Sequence, residues 1–158
     1  MIKSIANVSL IADGRMSEAS NASHLHQLSI TTVSADLSEI STIFKKPSAY
    51  VEILVDGISQ KKTQHVKHDA HPKWQETFTF LVTRDSVLLF RVNDHHTLLR
   101  DTVVGEAKIN LSEILGKYDG KLDAVSLSLP LYPAPNSTTT YATGKVLVEV
   151  NDYFITFW

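Results

Sequence analysis

From His26 onward the chain alternates between apolar and polar positions. Between Gln27 and Val33, Leu28, Ile30 and Thr32 fall on one side of an extended strand while Ser29, Thr31 and Val33 fall on the other, the two-residue period of a half-buried β-strand. Residues 49–55 are denser in Tyr, Val, Ile and Leu and stop at Asp56-Gly57, a hairpin signal that sends the chain back through 60–67. Further strands are predicted over 77–82, 87–92, 103–109, 125–129 and 145–150, each bounded by polar residues, proline or glycine. Glu113-Ile114-Leu115, with Asn110 or Ser112 as cap and Gly116 as stop, predicts one short connecting helix. Trp74, Phe78, Phe80 and Phe90 fall at strand spacing and belong to the core. Short strands at this spacing predict an all-β fold, an eight-stranded antiparallel β-sandwich.

Residues 1–24 mix Ser, Asn, Ala and Gly without a sustained period and read as a flexible arm; residues 25–150 form the domain; residues 151–158 form an aromatic extension. That extension, Asn151 to Trp158, is expected to prolong the last strand or fold back on the sandwich. Residues 130–143, rich in Pro, Ser and Thr, read as a long exposed loop.

A chain of 158 residues supports one domain with a single core. A net charge of -2 argues against coating nucleic acid, and the absence of cysteine excludes disulfides, thiolate metal sites and cysteine nucleophiles. No apolar run approaches the ~20 residues of a spanning helix, so membrane contact is expected to be peripheral. The stretch from Ile5 to Ala12 is a poor signal peptide, because Asn7 and Ser9 interrupt it, and the expected location is cytoplasmic. The Asn-x-Ser/Thr sites at Asn7, Asn21, Asn110 and Asn136 would matter only in a secreted protein.

No nucleophile elbow, phosphate-cradling glycine loop or paired acid motif is present, so a binding module rather than an enzyme is expected. His65, His68 and His71 are evenly spaced, but that spacing aligns metal ligands only on a helix, and solvated histidines suit a strand and turn better. Lys61, Thr63, His65 and Lys67 share one side of their strand by the two-residue period, which gives a cationic stripe. Such lysines serve either to meet an anionic surface or to keep an exposed strand soluble. Ile43-Phe44-Lys45-Lys46 and Leu98-Leu99-Arg100 each set apolar side chains beside cations, a composition suited to a membrane interface, although Phe44 suits the core equally.

Three motifs lie on these strands in order: Ser48-Ala-Tyr-Val-Glu52, His71-Pro-Lys-Trp-Gln-Glu-Thr-Phe78, and Phe90-Arg-Val-Asn-Asp94 followed by Val104-Gly-Glu106. Together they resemble a C2 domain over residues 26–150, most narrowly the N-terminal C2 domain of Itchy-like HECT-type ubiquitin ligases. The resemblance implies a localising or autoregulatory piece without the ligase's catalytic lobe. In C2 domains five aspartates from two loops supply most of calcium's six to eight oxygen ligands. Here those positions fall on Thr42, Ser48, Asp94, His96 and Thr102; only Asp94 is a carboxylate, with Asp101 one residue away. No cofactor is therefore expected, calcium included. The resemblance also implies a basic groove for phosphoinositide head groups at Lys61, His65 and Lys67, extended by Lys73, with Lys45, Lys46 and Phe44 at a loop tip. The expected partners are acidic phospholipids at a membrane surface, or alternatively a HECT lobe or other protein, met by a monomer that binds no nucleic acid.

Overall fold

A computed structural model describes residues 25–41, 45–135 and 141–155, without the side chains of Phe154 and Ile155. Among the described residues, eight strands and one helix follow in order: β1 (Leu25–Asp36), β2 (Ala49–Val55), β3 (Ile58–Lys62), β4 (Lys73–Thr83), β5 (Val87–Asp94), β6 (Thr102–Asn110), α1 (Leu111–Lys117), β7 (Val125–Leu131) and β8 (Gly144–Ile155). They form two four-stranded antiparallel sheets, β4-β1-β8-β7 and β3-β2-β5-β6. The predicted sandwich with one connecting helix is the architecture observed.

Asp56 and Gly57 adopt φ of 50° and 83°, the left-handed pair that a tight hairpin requires, and they join β2 to β3. The inward positions of both sheets are fully buried: Leu28 and Ile30 on β1, Val51 and Ile53 on β2, Phe90 and Val92 on β5, and Val146 and Val148 on β8. Each such side chain contributes about 1.5–3 kcal/mol by leaving water. Trp74 joins this core and its Nε1 donates to the Ala49 carbonyl at 3.1 Å, which ties the two sheets at the β4 end. Phe80 and Phe90 are buried as expected, and Phe78 packs against the core from a half-buried position.

Several sequence expectations shift. The strand predicted over 60–67 ends at Lys62, because Thr63 turns inward: its hydroxyl accepts the Val51 amide at 2.9 Å and donates to the Gln64 carbonyl at 3.0 Å. The helix runs through Gly116 to Lys117, and no side-chain cap bond forms at Asn110, whose Nδ2 donates instead to Glu113 at 3.1 Å. Strand β8 continues past 150 to Ile155, which pairs with Leu25, so residues 151–155 complete the sheet. Residues 1–24 and 156–158 lie outside the described residues.

Of the stretch predicted as an exposed loop from Pro130 to Thr143, Pro130 and Leu131 belong to β7, residues 136–140 lie outside the described residues, and Tyr132 and Thr143 tie the two sheets together. Tyr132 and Glu106 exchange backbone hydrogen bonds at 2.9 and 2.7 Å, linking the end of β7 to β6 in the other sheet. Thr143 is buried, and its hydroxyl donates towards the Val104 carbonyl at 3.1 Å.

One irregularity governs which side chains reach the outer surface. On β1, residues 32 and 34 pair with consecutive β8 residues, 148 and 147, so one extra residue is inserted at Val33. A bulge of this kind reverses the alternation beyond it. Ala35 and Leu37 consequently point inward, while Ser34 and Asp36 turn to the outer face.

Candidate functional site

Antiparallel pairing sends the ends of β1 and β5 and the starts of β2, β4, β6 and β8 to one end of the sandwich. The connections 37–48, 63–72 and 95–101 therefore gather there, and they carry most of the residues singled out from the sequence. Thr42 and Phe44 lie outside the described residues. Lys45 and Lys46 are exposed on the first of these loops.

The carboxylates at this end are held by internal partners. Asp94 Oδ1 accepts the Ser48 amide at 2.8 Å, and the Ser48 hydroxyl in turn accepts the His68 amide at 3.2 Å. Asp101 accepts the Tyr50 hydroxyl at 2.6 Å and the His96 amide at 3.1 Å, with His95 Nδ1 at 3.2 Å. The hydrogen bond from Tyr50 leads the interactions that hold the Asp101 carboxyl below its ordinary value. Burial, reinforced by the Asp101 hydrogen bond and charge, pushes the Tyr50 phenol up to about 12. His96 turns its Nε2 to the Thr102 hydroxyl at 3.2 Å and lies 3.8 Å from Asp94.

Calcium requires several oxygen ligands converging on one point. Asp94 and Asp101 are each committed to backbone amides or a phenol, and His96 and Thr102 are paired with one another. Among the described residues no cluster of three or more His, Asp or Glu side chains is arranged to hold a metal ion.

Between these anchored ends the tip of the 95–101 loop is bare. Leu98 is 93% and Leu99 76% exposed, followed by exposed Arg100. Adjacent large aliphatic residues at such exposure face water at a cost that a partner or an interface would remove. At the start of this loop the His95 ring packs tilted by 32° against His65 with centroids 4.5 Å apart, joining the loop to the 63–72 connection.

The cationic stripe is broken up. Thr63 is buried and His65 is half-buried against His95, while Lys61 and Lys67 are exposed on either side of them. Lys61 pairs across from Ile53 and Lys62 from Glu52, so the two lysines take opposite sides of β3. Lys73 is displaced furthest. It opens β4 in the other sheet, opposite Ser34.

On the outer face of the sheet containing β2 and β5 the sequence reading missed a charge network. Arg91 lies opposite both Glu52 and Glu106, and its guanidinium reaches Glu106 at 2.7 Å and Glu52 at 3.3 Å. The Glu106 hydrogen bond is the main reason the Arg91 guanidinium is held above its ordinary value. Burial alone would raise the Glu52 carboxyl, but a Ser59 hydrogen bond and the Lys62 and Arg91 charges bring it below the ordinary value. Only the register of three strands reveals this row.

Comparison with known proteins agrees with the geometry. The chain is 37% identical over 89 residues to human protein unc-13 homolog D, covering 50% of this chain and 8% of that protein. It is 22% identical over 134 residues to the E3 ubiquitin-protein ligase pub1 of Schizosaccharomyces pombe, covering 84% of this chain and 17% of the ligase. The chain thus spans a small part of the length of these relatives. The structure of a C2 domain of plant Extended Synaptotagmin 1 superposes with a TM-score of 0.68 at 23% identity, covering 83% of this chain and 96% of that one. The C2 domain family model matches residues 26–126. With that match and this sandwich, the chain belongs to the C2 domain family.

Proposed function

We propose that this C2 domain is a non-catalytic membrane-docking module that meets acidic phospholipids without calcium. The observation that carries the reading is the exposed Leu98-Leu99 pair at the loop end, followed by Arg100 and accompanied by the exposed Lys45 and Lys46. Leucines at such a tip gain by entering the acyl boundary, and each cation near an anionic leaflet adds about 1 kcal/mol. Lys61 on β3 and Lys67 on the 63–72 connection would add graded attraction. Support for calcium independence comes from the internal commitments of Asp94 and Asp101. Among the described residues no helix is long and apolar enough to cross a membrane. The likeness to the ligase pub1 supports the further reading that the chain is the localising part of a HECT-type ubiquitin ligase.

Co-sedimentation with phosphatidylserine-containing vesicles in chelator tests the reading. The chain should bind, lose affinity as salt rises, and lose about tenfold or more in a Leu98→Ser/Leu99→Ser variant, since each buried leucine is worth about 1.5–3 kcal/mol. Binding that appears only with calcium would overturn the account of the loops. Absence of binding under every condition would leave a discrete protein partner as the function.

A further inference from the structure

The lysine that left the cationic stripe has other company. Lys73 faces outward from β4, and across the sheet in one row follow Ser34 on β1, Leu147 on β8 and Ser128 on β7. In the next row Asp36 pairs with Lys145. These residues line an open groove of about 330 Å³, with Leu147 in the floor, the two hydroxyls along it, and Lys73 and Lys145 on its borders. Two strand spacings across and one two-residue step along place the lysine Cα atoms about 12 Å apart, close enough for both long side chains to converge over the groove.

The charges bordering the groove are unequally engaged. Asp36 is drawn back towards its own turn: its Oδ1 accepts the Ser38 amide at 3.0 Å and hydroxyl at 2.6 Å, with His71 Nε2 at 3.5 Å. Those Ser38 hydrogen bonds are the main reason its carboxyl is held below the ordinary range, and the charges of His71 and Lys145 assist. Among the described residues Lys73 makes no ion pair. The groove therefore presents two ammonium groups, six N–H donors in all, together with two hydroxyls that can donate or accept. Its single carboxylate already has donors of its own.

We propose that this groove is an anion site for a phosphomonoester, with Lys73 and Lys145 meeting the dianionic phosphate and Ser34 and Ser128 donating to its oxygens. A doubly charged tetrahedral group with three terminal oxygens matches two separated cations and flanking hydroxyls better than a carboxylate does, because charge-assisted bonds from both sides act on one small anion. Leu147 and the lysine stems give the carbon attached to the ester oxygen an apolar surface. The groove opens on the outer face of the β4-β1-β8-β7 sheet, at the same end of the sandwich as the Leu98-Leu99 tip but on the other sheet from β5 and β6, which that tip connects. It does not depend on that tip entering a bilayer.

Two probes separate the sources of such a phosphate. Glycerol 3-phosphate, added to the full chain and followed by amide NMR shifts, should perturb Ser34, Lys145 and Leu147. The Lys73→Gln/Lys145→Gln variant should weaken the response about tenfold or more, the loss expected for removing charge-assisted bonds. Asp36→Asn should act in the opposite direction and tighten binding, an outcome that a damaged fold cannot imitate. Vesicles containing phosphatidic acid should then bind better than vesicles of equal surface charge made with phosphatidylserine, a diester, and the double variant should erase only that preference. Glycerol 3-phosphate binding without a phosphatidic acid preference would support the site and assign its ligand to soluble phosphomonoesters. Shifts scattered over exposed lysines elsewhere, or a response indifferent to all three substitutions, would overturn the proposal. Because the Leu98→Ser/Leu99→Ser variant should leave the glycerol 3-phosphate response unchanged, the groove and the docking tip can fail separately.

Discussion

The outer faces of the two sheets carry similar residues and put them to different uses. On the β3-β2-β5-β6 face, Arg91 is clamped between Glu52 and Glu106, and the cation is consumed by the protein's own carboxylates. On the β4-β1-β8-β7 face, Asp36 takes its hydrogen bonds from Ser38, and Lys73 and Lys145 are left facing a groove. A count of basic residues treats these faces alike. What separates them is how the opposite residue on the neighbouring strand is engaged: Glu52 and Glu106 both reach Arg91, whereas Asp36, opposite Lys145, accepts from Ser38, and Lys73 has Ser34 opposite it. The first face is built to hold itself together, and the second has capacity left to bind.

The most severe way to break the comparison is through Gly144. A Cβ at this position would meet the Asp36 carbonyl oxygen head-on, with Leu37 close behind. Backbone cannot rotate aside as a side chain can, so Gly144→Ala must part the start of β8 from the end of β1, where Asp36 and Lys145 are paired. We expect a loss of about 3 kcal/mol, typical of forced overpacking. Thermal unfolding should fall by roughly 6 to 12 °C for a domain of this size. Phosphomonoester binding should weaken with it, while the Glu52-Arg91-Glu106 row stays intact. An unchanged melting temperature would mean that the contact between the two strands relaxes freely.

A smaller effect is expected at Arg91. Arg91→Met keeps most of the stem and deletes the charge, leaving two partly buried carboxylates, on the strands either side of β5, without their shared partner. Removing one member of a buried pair can cost about 3–5 kcal/mol. With the Arg91 side chain 30% exposed, solvent screening reduces the expected cost to about 1–2 kcal/mol. The sign with pH follows from Glu52. Its folded-state pKa lies below the unfolded value, so it contributes stability above about pH 4.3, and that contribution is lost as pH falls through the folded value. Denaturant titrations should therefore show the wild type most superior to Arg91→Met near neutral pH, with the gap closing as pH falls below the ordinary glutamate range. A gap that persists in acid would assign the loss to packing of the guanidinium stem.

How much of this was legible beforehand follows from the same strands. Alternation located the sandwich well, because Leu28-Ile30 and Phe90-Val92 repeat with the period that a sheet imposes, and the Asp56-Gly57 hairpin announced itself by chemistry. Of the site, the Leu98-Leu99 tip was visible as a composition. The grooves and networks were not. Lys61, Thr63, His65 and Lys67 appeared to form a stripe because the two-residue count was carried past Lys62, where Thr63 turns inward to the Val51 amide. Ser34 and Asp36 were hidden for the converse reason: the extra residue at Val33 reverses the faces, and no local pattern marks it. Lys145 and Glu106 acquire meaning only from long-range register, which a single sequence does not contain.

The smallest expected effect tests the comparison from its other side. If Lys73 is available for binding rather than committed to the fold, Lys73→Met should change stability by less than about 0.5 kcal/mol, as surface substitutions away from special features do. The residue is exposed on the edge strand β4, and the inward anchor beside it is Trp74, which the substitution leaves in place. Methionine keeps an unbranched stem against the groove and removes only the ammonium group. A loss as large as that of Arg91→Met would show that Lys73 has a structural partner, and the two faces would then be alike in spending their cations internally. A stability indistinguishable from wild type, measured in the same titrations that register the Arg91 loss, sharpens the contrast instead. A cation that costs the fold nothing to remove is one whose charge is directed outward.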